Sequence, residues 1–358
     1  MISRYANAAM TPMARPRDGY FFEDYLVGQH FHHATPRTIT AGDVALYIAL
    51  TGARQPTHCA ATVATAIGFR DTPIDDMLHF HVAFGKTVAD ISYNAVANLG
   101  YADCRFLRSV FIGDTIRCKT EIVGLKQNSS GKTGVVYVRS NAFNQHDENV
   151  LTWVRWVMVH RREISTDIQP PIGQTEFAAT IEDSAIQAPS IANASDAMHN
   201  ATGSKLFWDD IEATGKMLIR HPGGMTIEES DHMLATRLYQ NTARVHFDLH
   251  HMKNSRFGQR LIYGGHVMSI CRALAYDGLE NVLSVAAIEA GSHTNPTFAG
   301  DTIYATSHLM SKWAINDDVG AIRIKLNGYK NVDIEKDTLT ESNQVLSLSM
   351  IALMPRKK

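Results

Sequence analysis

The sequence predicts two α+β domains of common origin, each a long helix packed on an antiparallel sheet. Three observations predict it. The chain repeats itself: FFEDYLVG, RTITAGDVALYIALTG and ARQPTH in residues 21–58 return as LFWDDIEATG, MTIEESDHMLATRLYQ and NTARVH in residues 206–246. Thr38 falls on Thr226, Asp43 on Asp231 and His58 on His246, each 188 positions apart; FIGDTI at 111–116 meets FAGDTI at 298–303 at a spacing of 187. Similar residues returning in the same order are what a duplicated domain leaves behind. Each copy then carries an apolar stripe at helical spacing, followed by β-branched, aromatic-rich segments typical of strands.

Residues 1–19 come first, with Arg4, Arg15 and Arg17 and no acid before Asp18. That faintly resembles a transit peptide, but there is no apolar secretory core. Pro12 and Pro16 discourage a helix, so the segment reads as a disordered tail.

The first domain spans 20–162. A short helix is expected over Asp43–Leu50, with Asp43 placed in the first turn, where the helix dipole favours an acid. Phe80, Phe84, Val88, Ile91 and Ala95 then step by four, four, three and four along a longer helix. TIRCKTEIVGLKQ, GKTGVVYVRSNAF and VLTWVRWVMVH read as strands, with Asn128 to Gly131 as a hairpin turn. Residues 163–203 hold Pro170-Pro171 and show no sustained helical period, so they read as a connector. The second domain, 204–358, repeats the order: a helix over Glu228–Tyr239, a longer one carrying Val267, Ile270, Cys271 and Leu274, then DTIYATSHLM, AIRIKLNGY and VLSLSMIALM. GDTI in each copy reads as a tight turn into a strand. Two such domains can pair side by side as a built-in dimer.

Composition narrows the partners. At 358 residues, 45% apolar and 20% charged, the chain has room for two full cores. A net charge of −2 and a pI near 6.8 give no reason to expect nucleic acid or an anionic membrane. No apolar run approaches the ~18–20 residues of a membrane span. The four cysteines form no CxxC pair and read as reduced thiols, with the cytoplasm as the default compartment. His246-x3-His250-His251 and His30-x-His32-His33 lack a cysteine or carboxylate at a recognisable spacing, so no metal site is expected.

The informative stretch follows the short helix. The second copy reads Tyr239-Gln240-Asn241-Thr242-Ala243-Arg244-Val245-His246, and Asn241 faces Ala53 of the first copy. IYGGHV at 262–267 then enters the long helix. Gly264 and Gly265 let backbone approach a ligand, and free N–H groups at a helix start can donate to an oxygen gaining negative charge. The first copy has no glycine there. A lone histidine is more often a satisfied core or surface residue, and His58 reads that way; His246 differs in having Asn241 and the glycine turn beside it.

These residues resemble the MaoC-like (R)-specific enoyl-CoA hydratases of the hot-dog fold, whose motif is acid-x-Asn-Pro-x-His followed by a His-Gly helix start. The second copy has Asn241 at the acid position and Arg244 at the proline; the first keeps Pro56-x-His58 but has Ala53 for the acid. Longer strings, among them ATPRTITAGDVALY, TRLYQNTARVHF, YGGHV and HTNPTFAGDTIYA, are similar to the mesaconyl-CoA hydratases (β-methylmalyl-CoA dehydratases) within that group. The resemblance implies a tandem, double hot-dog fold with a degenerate site in the first half and a catalytic site in the second. It implies a hydro-lyase acting on a short, branched, dicarboxylic enoyl-CoA. Another enoyl-CoA, such as an (R)-3-hydroxyacyl-CoA or itaconyl-CoA, is the alternative, and a non-catalytic acyl-CoA-binding protein a further one.

By the same resemblance His246 is the general base and acid, Asn241 orients the water, and the Gly265 amide helps hold the thioester oxygen. Tyr263, Gly264 and His266 are expected to contact substrate, with Arg244 on its free carboxylate. No cofactor is implied, CoA being part of the substrate. The expected partner is thus an acyl-CoA thioester, with a homo-oligomer possible.

Overall fold

The computed structural model of the chain describes residues 15–212 and 214–357. Residues 1–14 of the expected tail lie outside them. Arg15 at the tail's end donates from Nη1 to the Ala89 carbonyl at 3.0 Å.

The first half runs β1 (His30–His32), β2 (Arg37–Thr38), α1 (Ala41–Thr51), α2 (Pro56–Cys59), α3 (Ala61–Ala66), α4 (Asp76–Ile91), β3 (Ala95–Phe106), β4 (Thr115–Gln127), β5 (Thr133–Phe143) and β6 (Asn149–His160). Helix α1 begins at a capping box: Thr40 Oγ1 accepts from the Asp43 amide and Asp43 Oδ2 from the Thr40 amide. Gly52, at φ 67°, closes it in the left-handed conformation. Asp75 caps α4, accepting from the Met77 amide at 2.8 Å. That helix is buried on almost every side, as the central helix of an α+β layer must be. The apolar stripe nevertheless ends at Ile91, and Ala95 already belongs to β3. Asn94 Nδ2 holds the carbonyls of Asp18 and Tyr20, which fixes the turn from helix back to sheet.

The connector supplies β7 (Ile172–Gly173) and α5 (Ala194–Thr202), where the sequence suggested no regular element. The second half runs β8 (Met217–Thr226), α6 (Glu229–Leu238), α7 (Arg244–Phe247), α8 (Leu249–Met252), α9 (Gly264–Leu274), β9 (Ser284–His293), β10 (Thr302–Ala314), β11 (Val319–Lys330) and β12 (Gln344–Pro355).

The strands form one twelve-stranded sheet in the order β1-β4-β5-β6-β3-β9-β12-β11-β10-β8, with β2 and β7 also on β4. The duplication is visible in that order: each half follows the same path, and the halves join edge to edge. At the seam β3 and β9 pair antiparallel, Tyr101 opposite Gly291 and Arg105 opposite Ala287. Closing each half's edge on the other removes two edges that would otherwise invite foreign strands. Neither seam strand shows a strong β signal, because both are rich in Ala and Gly. The small residues have a use: a Cβ on Gly100 would lie 2.3 Å from the Trp156 ring.

Helices α4 and α9 touch each other across the seam. A Cβ on Gly85 would fall 1.7 Å from the Tyr239 carbonyl oxygen, so glycine permits the backbone of α4 to meet the end of α6. The second half's sheet is covered on both faces. Ile322, Ile324 and Met350 face the main core, while alternate residues Ala321, Ile351 and Leu353 meet Ile181, Ile186, Ile191 and Met198 of the connector. Arg323 locks the connector there, pairing with buried Glu289 at 2.9 Å and with Asp183 at 3.0 Å. Among the described residues no helix is long and apolar enough to cross a membrane.

Candidate active site

A cavity of about 610 Å³ opens where the two halves meet. Asn241, His246, Tyr263, Gly264 and His293 line it from the second half, and Phe84, Ser92, Tyr101 and Arg155 from the first. Such a mostly apolar cleft with a few convergent polar groups is the usual form of a small-molecule site.

Local chemistry sets each polar group. Helix α6 ends where Gln240 takes φ 54°, and the following Asn241 is buried. The Asn241 amide donates to the Thr236 carbonyl at 2.9 Å, and its side-chain Oδ1 accepts from the Ala243 amide at 3.2 Å. His246 follows on α7. Its Nδ1 donates to the Leu261 carbonyl at 2.9 Å, which fixes the tautomer and leaves Nε2 as the lone-pair nitrogen. Burial pushes this imidazole down to about 4, only partly opposed by the carbonyl bond, so it is neutral at pH 7.

Helix α9 opens with Gly264 and Gly265. The Tyr263 amide before it donates to His232 Nε2 at 3.2 Å, and the His266 amide bonds back to the Tyr263 carbonyl at 2.8 Å. Between them the Gly264 and Gly265 amides are the first helical N–H groups, which no intrahelical carbonyl can satisfy. Gly264 is required by a neighbour: a Cβ there would stand 2.4 Å from His293 Cε1.

Four of the residues expected from sequence are therefore brought together: Asn241, His246, Tyr263 and Gly264. Three are not on the wall. Gly265 is buried behind Gly264, where a Cβ would meet the Tyr263 ring at 2.4 Å and His81 Cε1 at 2.6 Å. His266 is buried, and its Nδ1 has no hydrogen-bond partner among the described residues. Arg244, expected on the substrate's carboxylate, turns to Tyr93 instead: Nη2 donates to its hydroxyl at 2.7 Å and the guanidinium lies 4.6 Å from the ring centroid.

The sequence reading missed His293, Tyr101 and Arg155. His293 Nε2 hydrogen-bonds the Tyr101 hydroxyl at 3.2 Å, and burial pushes its imidazole down to about 4. Only the string HTNPTF hinted at it; Tyr101 and Arg155 lie inside strands, where nothing local marks them.

The first half keeps the frame of this site and blocks it. His58 Nδ1 donates to the Pro73 carbonyl at 3.2 Å, and Pro73 precedes Leu261 by the same 188 positions that separate His58 from His246. At Gly264's counterpart stands Asp76, whose carboxylate is 3.4 Å from His58 Nε2. Burial depresses the His58 imidazole, but the charge of Asp76 beside it, helped by Asp75 and the Pro73 carbonyl, outweighs that and the net shift is upward. Around this pair a smaller cavity of about 240 Å³ is closed by connector residues, Ala185 to Pro189 among them. Among the described residues no cluster of three or more His, Cys, Asp or Glu is placed to hold a metal ion.

Comparison with known proteins agrees with this architecture. The family model of mesaconyl-CoA hydratase matches residues 6–335. The chain is 46% identical over 352 residues to a β-methylmalyl-CoA dehydratase of Chloroflexus aurantiacus, covering 96% of this chain and 99% of that protein. It is 44% identical over 344 residues to a mesaconyl-CoA hydratase of Cereibacter sphaeroides, covering 94% and 98%. Among solved structures, a MaoC domain protein dehydratase from Chloroflexus aurantiacus superposes with a TM-score of 0.90 at 45% identity, over 97% of this chain and 100% of that one. A double hotdog protein of Mycobacterium tuberculosis superposes with a TM-score of 0.76 at 26% identity, over 95% and 99%.

Proposed function

The chain belongs to the mesaconyl-CoA hydratase family, and on that premise we propose that it is a hydro-lyase interconverting mesaconyl-CoA and β-methylmalyl-CoA. The observation that carries the reading is the neutral His246, its tautomer fixed by Leu261, beside Asn241 in a cavity of about 610 Å³.

The reaction adds water across a C=C bond conjugated to a thioester. His246 Nε2 takes a proton from water as the water oxygen bonds to the β-carbon. The π electrons move toward the thioester oxygen, and the α-carbon then receives a proton from the imidazolium. Asn241 orients the water and cannot take a proton itself, so His246 carries both transfers. The Gly264 amide, on the cavity wall, donates to the thioester oxygen as enolate character develops, in place of the expected Gly265. Tyr263 forms the wall under the acyl group. Every step uses protons already on water and His246, so the reading needs no cofactor beyond the CoA of the substrate.

Loss or gain of absorbance at the enoyl-thioester band, with a panel of enoyl-CoAs, tests it. Hydration of mesaconyl-CoA faster than of crotonyl-CoA or itaconyl-CoA is the expected result. Tight binding of the thioesters with no absorbance change would replace the enzyme by a binding protein.

A further inference from the structure

We propose that Arg155 binds the free carboxylate of the substrate, so that the inner end of the cavity selects dicarboxylic over monocarboxylic acyl thioesters. The proposal rests on the hydratase reading for the identity of the substrate, but not for the presence of the anion site.

Arg155 projects from β6 and is fully buried, yet no acid among the described residues forms an ion pair with it. Its Nη1 donates to Ser92 Oγ at 2.8 Å and its Nη2 to Thr87 Oγ1 at 3.0 Å, both neutral hydroxyls. Among the described residues its Nε has no hydrogen-bond partner. The guanidinium lies 4.3 Å from the Phe84 ring centroid, a contact that tolerates the charge without neutralising it. Burial pulls the group down only to about 10, so it stays cationic at neutral pH. A buried, unpaired charge is costly, and proteins that keep one normally place its counter-ion elsewhere or receive it from a ligand.

The surrounding cavity points to a ligand. Arg155 borders the same space as His246 and Asn241, and Ser92 reaches it too. Among the described residues lining that space there is no Asp or Glu, and the other Arg or Lys is Arg256. Arg256, by contrast, is exposed and stacked on Phe257 at 4.4 Å. A ligand with phosphates at the exposed end and a carboxylate at the buried end matches both. A carboxylate can take the free Nε–H and an Nη–H together, the bidentate pairing that arginine is built for.

Unreactive thioesters separate this from catalysis. Succinyl-CoA and butyryl-CoA share a four-carbon acyl chain and differ in a terminal carboxylate against a methyl. The protein is expected to bind succinyl-CoA roughly 10- to 100-fold more tightly, the range for hydrogen bonds to a charged group. Arg155→Met should abolish that preference and leave butyryl-CoA affinity unchanged; Arg155→Gln, which keeps a donor for Ser92 or Thr87, does the same if the methionine variant fails to fold. Calorimetry reads both affinities whether or not the protein hydrates anything. Equal affinity for the two thioesters in the unaltered protein, or a preference that survives in the folded variants, overturns the proposal. If mesaconyl-CoA is not hydrated while the succinyl preference depends on Arg155, the subsite stands and the hydratase reading falls.

Discussion

His58 Nε2 lies 3.4 Å from the Asp76 carboxylate, whereas the position corresponding to Asp76 beside His246 is occupied by Gly264. The two histidines are otherwise held alike, each by an Nδ1 bond to a carbonyl fifteen residues further on. One substitution at the first residue of the long helix therefore separates an imidazole with a free nitrogen from one that faces an acid.

The pair makes the first prediction. His246→Ala should abolish hydration, with a loss in kcat of at least about 10²-fold expected for removing a positioned base, while CoA-thioester binding persists. His58→Ala should leave kcat and KM unchanged and lower stability by about 1 kcal/mol, since Asp76 loses its imidazole neighbour but keeps the Val285 amide at 2.6 Å. Steady-state kinetics and denaturant melts on both variants check this. Equal loss of activity in the two would end the one-site account.

Their opposite shifts give the second. His246 has its folded value pushed from 6.5 down to about 4, so the folded form binds fewer protons than the unfolded chain in that window. The stability associated with it is complete above pH 6.5 and is lost as pH falls toward 4. His58 is raised, so its contribution is complete below 6.5 and is lost as pH rises through the folded value. Activity follows His246: kcat/KM should stay level from pH 7 down to about 5 and fall only below that. Stopped assays with brief exposure to acid separate the titration of the base from slow unfolding. An acid limb near 6.5 would show that His246 is not the base.

Gly264→Ala tests whether the glycine is needed for room. Its Cβ would collide with His293 at 2.4 Å, displacing an imidazole that Tyr101 holds at 3.2 Å. Hydration is expected to fall by roughly 10²-fold, as for other losses of site geometry, with stability lowered by about 1–3 kcal/mol. Kinetics and melting together decide it, and an unimpaired enzyme would show that His293 can yield.

The repeat made the halves, their long helices and the His246–Asn241 stretch legible, because those signals are local and come in duplicate. What it hid follows from physics that acts across the sheet. Strands β3 and β9 carry Ala and Gly where a strand signal needs branched or aromatic side chains; their role at the seam comes from pairing with each other. Arg155 looked like an ordinary polar residue alternating in VLTWVRWVMVH, and its burial depends on α4 lying over β6. Arg244, near His246 in sequence, points away from the cavity because four-residue helix α7 turns successive side chains to different faces. Proximity along the chain picked one arginine, and the fold supplies another.

Arg244→Met follows from that contrast. The substitution removes the bond to Tyr93 and the stacking on its ring, at a cost of about 1 kcal/mol. The ratio of kcat/KM for mesaconyl-CoA to that for crotonyl-CoA should be unchanged. A selective loss of the dicarboxylic substrate would return the carboxylate to Arg244.

Asn241→Asp places an acid where the resemblance to MaoC-like hydratases expects one. The Ala243 amide that now donates to Oδ1 at 3.2 Å can donate equally to a carboxylate, so the turn survives. The new charge is buried, which costs stability, and it shares a wall with His246. An adjacent anion favours imidazolium, so the His246 value should rise from about 4 and the acid limb of kcat/KM should move to higher pH. At neutral pH the stronger base and a second proton acceptor work together, and hydration should be retained or improved. Asn241→Ala, which removes the orienting amide without adding charge, should instead lower kcat by about 10- to 100-fold and leave the acid limb in place. A pH profile on the two variants reads both effects; an acid limb that does not move with Asn241→Asp would show that position 241 does not act on His246.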